Sequence, residues 1–93
     1  MASPTVRRKL MIPEDAYIGI RCGALLVEAG KPFESEVTYA CGDQAADGRS
    51  ILNILALAPM PGAEWTVEVT GEDAEETMAA IEGCFANWPR VDG

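Results

Sequence analysis

Two hydrophobic periods take turns along this chain, and their alternation restricts its fold more than any other feature. Trp65, Val67 and Val69 interleave with Thr66, Glu68 and Thr70, the period of two expected of a strand with one buried face. Soon after, Ala74, Met78, Ile81, Phe85 and Trp88 are spaced four, three, four, three, the apolar stripe of a helix lying on a core. Gly71-Glu72-Asp73 separates the two, and Glu75 and Glu76 stand in the first helical turn, where the helix dipole favours acids.

The same alternation runs upstream. Arg8 to Ile12 reads as a first strand with Leu10 and Ile12 on one face, ended by Pro13-Glu14-Asp15. From Cys22 the period becomes helical, through Leu25, Leu26 and Ala29. Gly30, as a left-handed cap, and Pro32 beyond it predict the stop. Phe33, Ser35, Val37, Tyr39 and Cys41 alternate with polar residues as a second strand, Gln44-Ala45-Ala46 is a short partner, and Asp47-Gly48 turns the chain. Ser50 stands at an N-cap position before Ile51, Ile54, Leu55 and Ala58, and Pro59-Met60-Pro61-Gly62 closes that short helix. The order is β-α-β-β-α-β-α in a single domain of residues 1–93. It predicts an α+β fold, an open-faced β-sandwich with a four-stranded antiparallel sheet and three helices on one face. A ferredoxin-like fold begins with the same order, and periodicity does not choose between them.

Composition excludes several functions. The chain has no histidine, which removes Ser-His-Asp and Cys-His catalysis, imidazole acid–base chemistry, His-containing zinc sites and any phosphohistidine on this chain. Cys22, Cys41 and Cys84 lie 19 and 43 residues apart with no C-x-x-C, which suits free thiols in a reducing cytosol and offers no metal spacing. Seven basic against fifteen acidic residues give a net charge of −8, which repels nucleic acid and anionic membranes. Residues 1–31 nonetheless carry +2, while residues 64–93 carry −7. No apolar run approaches the roughly 18–20 residues of a membrane span, and Met1 to Leu10 is too short and too basic for a signal peptide. No nucleotide-binding glycine motif or calcium-loop spacing occurs. A cytoplasmic, non-enzymatic protein without cofactor is the expectation.

Gly48-Arg49-Ser50-Ile51-Leu52-Asn53-Ile54-Leu55 resembles the regulatory-serine segment of HPr, the small phosphocarrier of the bacterial phosphoenolpyruvate–sugar phosphotransferase system. Ala24 to Ala29, Phe33 to Val37, Gly62-Ala63-Glu64 and Gly71 to Ala74 are similar to HPr in order and spacing, so the resemblance covers roughly residues 9–86. It implies the open-faced sandwich. HPr enters its first helix with G-L-H-A-R-P-A, and here those positions read Tyr17-Ile18-Gly19-Ile20-Arg21-Cys22-Gly23. The phosphoacceptor histidine matches Gly19, the proline matches Cys22, the family's glycine matches Tyr17, and only Arg21 keeps its residue.

Three candidate sites follow. Gly19, Arg21 and Cys22 make up a degenerate phosphocarrier site: either a surviving anion pocket at a helix N-terminus or a loop with a solvated arginine. Cys22 there is either a low-pKa nucleophile or, as free cysteines usually are, a buried hydrophobe. Ser50 is an N-cap on residue grounds, and the resemblance implies a phosphoserine made by an ATP-dependent kinase; a dianion at the positive end of a helix dipole is compatible with both. A helix of about eight residues cannot bury all of Ile51, Leu52, Ile54, Leu55 and Leu57, so Ile51, Leu52 and Leu55, with Met60 beyond the helix, are either a docking surface or part of a wide core stripe. The resemblance implies protein partners: a serine kinase, phosphotransferase components or a transcription regulator. The functional readings are therefore a histidine-less HPr-like regulatory module switched at Ser50, a carrier using Cys22, or a purely structural interaction domain.

Overall fold

The computed structural model describes residues 3–91. Four strands, β1 (Thr5–Met11), β2 (Glu36–Cys41), β3 (Gln44–Asp47) and β4 (Glu64–Thr70), form one antiparallel sheet in the order β1-β4-β2-β3. Helices α1 (Ile20–Gly30), α2 (Ile51–Ala56) and α3 (Ala74–Ala86) cover one face. The other face is open and carries the polar half of each alternation, including Arg7 paired with Glu68 at 2.9 Å.

The two periods read in the sequence define the core. Trp65, Val67 and Val69 of β4 are wholly buried, and all five residues of the α3 stripe are buried. The register sets Val69 opposite both Val6 and Val37, and Val67 opposite both Arg8 and Tyr39. An aromatic series crosses the core from sheet to helix: Tyr39 to Trp65 at 5.8 Å, Trp65 to Phe85 at 6.3 Å and Phe85 to Trp88 at 5.4 Å between ring centroids. The tilted and edge-on geometry suits the ring quadrupoles. Arg8 points inward at the sheet's edge and reaches Glu82 and Glu75 of α3 at 3.8 and 4.0 Å instead of entering the core.

Local boundaries differ from the sequence expectation in physically legible ways. β1 begins at Thr5, three residues early, because pairing with β4 extends the strand through its cationic run. Helix α1 begins at Ile20 rather than Cys22. Gly30 is not a left-handed cap: it stays helical, and the cap is Lys31 with φ −61° ahead of Pro32. Phe33 precedes β2 as part of the loop, and Trp88 lies beyond α3 although its side chain continues the buried stripe. Among the described residues, the positive-φ positions are Gly42, Gly62, Gly71 and one non-glycine, Ala58 at φ 56°, which receives the end of α2.

Candidate functional site

The loop into α1 is fixed by the chain that follows α3. Tyr17 N–H donates to the Pro89 carbonyl at 2.8 Å, Val91 N–H to that of Asp15 at 2.9 Å, and Arg90 pairs with the Asp15 carboxylate at 2.8 Å. The Tyr17 carbonyl accepts two bonds, from Trp88 Nε1 at 2.9 Å and from Cys22 Sγ at 3.0 Å. The aromatic series of the core thus ends on the backbone of Tyr17.

Gly19 is the N-cap of α1, with extended backbone (φ −177°, ψ −178°) and no side chain to cap the helix. Tyr17 folds over it: a Cβ at position 19 would lie 2.9 Å from both Cε2 and Oη of the Tyr17 ring. Arg21 is exposed and, among the described residues, has no ion-pair partner. Cys22 is 1% exposed and joins the core. Burial pushes the Cys84 thiol up to about 11, with the neighbouring Cys22 adding to the shift.

Ser50 caps α2 as its position predicts. Its backbone is extended, and Oγ accepts the Asn53 N–H at 3.1 Å. Next to it, Arg49 holds the turn: its N–H donates to Asp47 Oδ1 at 2.9 Å and its guanidinium to the Glu34 carbonyl at 3.3 Å. Within α2, Ile54 is the buried residue, Leu52 is 77% exposed, and Ile51 and Leu55 are half-buried. Met60, in the following loop, is also exposed.

The half-burial of Ile51 and Leu55 has a definite cause. A Cβ on Gly23 would stand 3.0 Å from Ile51 Cγ2 and 3.5 Å from Leu55 Cδ2, so the missing side chain on α1 lets α2 seat closely. Gly23 therefore joins the residues around Gly19 to those around Ser50. Gly23 and Tyr17 stand in the stretch that the sequence singles out, but the contacts they make here, with Ile51 and with Gly19, were not read from it. A signal for Tyr17 existed: the bulky Tyr17 stands two residues before Gly19, which has no side chain of its own to fill the space. Among the described residues, no group of three or more cysteine and carboxylate side chains gathers where it could hold a metal, and no helix is long and apolar enough to cross a membrane.

The family model described as the PTS HPr component phosphorylation site matches residues 6–87. The phosphocarrier protein HPr of Mycoplasma capricolum is 24% identical over 83 residues, spanning 89% of this chain and 93% of that protein. HPr of Treponema pallidum is 31% identical over 72 residues, 77% of this chain and 82% of the relative. Among solved structures, HPr from Bacillus anthracis superposes with a TM-score of 0.77 at 24% identity, covering 85% of this chain and 94% of that one. HPr-C-His from Thermoanaerobacter tengcongensis gives 0.80 at 21% identity, covering 87% and 91%. The Mycoplasma, Treponema and Bacillus relatives are named phosphocarrier proteins, and the two solved structures share the open-faced sandwich found here. A family model matched over nearly the whole chain, together with relatives matched along most of their own length, shows that this protein belongs to the HPr family of the phosphotransferase system.

Proposed function

We propose that this chain is a single-domain, cytoplasmic regulatory member of the family, which acts by docking to proteins and is switched by phosphorylation at Ser50. The observation that carries this reading is a contrast between two sites. At the position that the resemblance matches to the carrier histidine stands Gly19, which has no nucleophile, in a chain without histidine. At α2 a serine still caps the helix beside the outward-facing Leu52. An exposed leucine next to a modifiable cap makes a docking patch to which a phosphate would add about two negative charges. Burial of Cys22, and its bond to the Tyr17 carbonyl, speak for a core thiol rather than a substitute carrier. Partners of this patch would be a serine kinase, other phosphotransferase proteins or a transcription regulator. A multiphosphoryl transfer protein of Salmonella typhimurium, 36% identical over 69 residues that make up 18% of that protein, accords with partners that handle phosphoryl groups.

The test is incubation with ATP and an HPr serine kinase, followed by site mapping. Phosphate should appear on Ser50 and vanish in Ser50→Ala. Leu52→Asp should keep the native melting temperature while slowing modification. Labelling that continues undiminished in Ser50→Ala rejects the switch.

A further inference from the structure

Between the last turn of α1 and the chain that enters β2 lies a cavity of about 230 Å³. Its floor is apolar: Val37 is buried, and Val27 and Phe33 are half-buried. Two exposed cations, Lys31 and Arg49, stand at its rim, and no carboxylate lines it, although the chain carries a net charge of −8. The Arg49 guanidinium donates to the Glu34 carbonyl at 3.3 Å and, among the described residues, pairs with no carboxylate. Asp47 bonds only the Arg49 backbone N–H, at 2.9 Å. Lys31 lies 3.7 Å from the Glu28 carboxylate, but both side chains are largely exposed, so that pair is weak.

Two glycines shape the space. A Cβ on Gly48 would lie 2.7 Å from that of Val37, so this wall closes tightly on the floor. Gly30 has no such reason to be bare. Its backbone is helical, where glycine is disfavoured against alanine, and an added Cβ would meet only Val37 Cγ2, at an ordinary 3.7 Å. What its missing side chain supplies is room over Val37.

We infer that this cavity binds a small organic acid, with its apolar body on Val27, Phe33 and Val37 and its carboxylate between Arg49 and Lys31. The planar donor fork of an arginine matches a carboxylate, and a lysine on a long stem adds a second positive charge. The volume lies below the roughly 300–1,000 Å³ of pockets that take drug-sized ligands, which favours a free acid smaller than those over a peptide segment. The site is separate from the α2 patch: neither Ser50 nor Leu52 lines it, and its occupation needs no phosphate.

The experiment titrates the full, unphosphorylated chain with phenylacetate and follows backbone amide chemical shifts. Saturable shifts should centre on residues 27–37 and 48–49. Phenethyl alcohol, which has the same body without the charge, and acetate, which has the charge without the body, should each bind about tenfold more weakly or worse. Arg49→Gln should lose affinity by about tenfold. Gly30→Leu should abolish saturable binding by filling the space, and its melting temperature should not fall, since leucine is the better helix former. The inference is overturned if phenylacetate gives no saturable shift at these residues or if the alcohol binds as well. It is equally overturned if Arg49→Gln, or a folded Gly30→Leu, binds unchanged. Ser50→Ala should bind as the native chain does, so this inference and the Ser50 switch can each fail without the other.

Discussion

The carboxylate of Asp73, at the start of α3, holds Ser35 at the head of β2: it accepts both the Ser35 hydroxyl and the Ser35 N–H, the latter at 3.0 Å. It also accepts the Glu34 N–H at 2.9 Å. These bonds favour the ionised form and lower the Asp73 pKa from its ordinary 3.8, the Ser35 hydroxyl contributing most and the Glu34 N–H next. Gly71 permits the approach, since a Cβ there would overlap Ser35.

Because the folded state lowers this pKa, Asp73 stabilises above its ordinary value, and that contribution is lost as pH falls below about 3.8 through the folded value. Asp73→Asn should melt lower than the native protein near neutrality. Its melting temperature should then fall less steeply over the acid range. Parallel melting curves for the two proteins across that range would refute the assignment.

Ser50→Ala should lower stability by about 0.5–2 kcal/mol through loss of the bond to Asn53 N–H, in the absence of any phosphate. Urea unfolding measures it. Ser50→Asp, which keeps an acceptor at the N-cap, should recover most of the loss.

Gly23→Val should drive Ile51 and Leu55 off α1, since even a Cβ there stands 3.0 Å from Ile51 Cγ2. The expected cost is about 1–3 kcal/mol for overpacking. Hydrogen exchange should quicken in α2 while the β1–β4 ladder stays protected.

Ala58→Gly should raise stability by about 1 kcal/mol, because alanine at φ 56° bears a steric cost that glycine does not. Thermal unfolding measures the gain, and an unchanged or lower midpoint would show that the alanine methyl group contributes packing worth more than the strain.

Much of this fold is visible in the sequence because it depends on local period. The zero exposure of Trp65, Val67 and Val69 and the buried α3 stripe follow from spacings of two and of three to four, and the Ser50 cap needs only its own next three residues. What stayed hidden depends on where distant segments meet. The clasp of Ser35 by Asp73 spans 38 positions, and Trp88 reaches Tyr17 across 71. Gly30 misled because a glycine before a proline-bearing turn looks like a cap, while the helix had room to run on to Lys31. In the candidate site the bare glycine at position 19 was plain, but the ring lying over it was not, since nothing in residue spacing says which way a loop tyrosine folds.

The sheet order has a consequence for synthesis. β1 is made first, yet its partner is β4, and the register joins Thr5 to Thr70. On the ribosome β1 is therefore an orphan strand until most of the chain has been added, and β2 waits for the same central strand. An unpaired strand invites pairing with another nascent chain, and consecutive cations are a known guard against this. Arg7, Arg8 and Lys9 stand side by side in the middle of β1, so the two arginines that later bind Glu68, Glu75 and Glu82 first serve, with Lys9, to keep neighbouring chains apart.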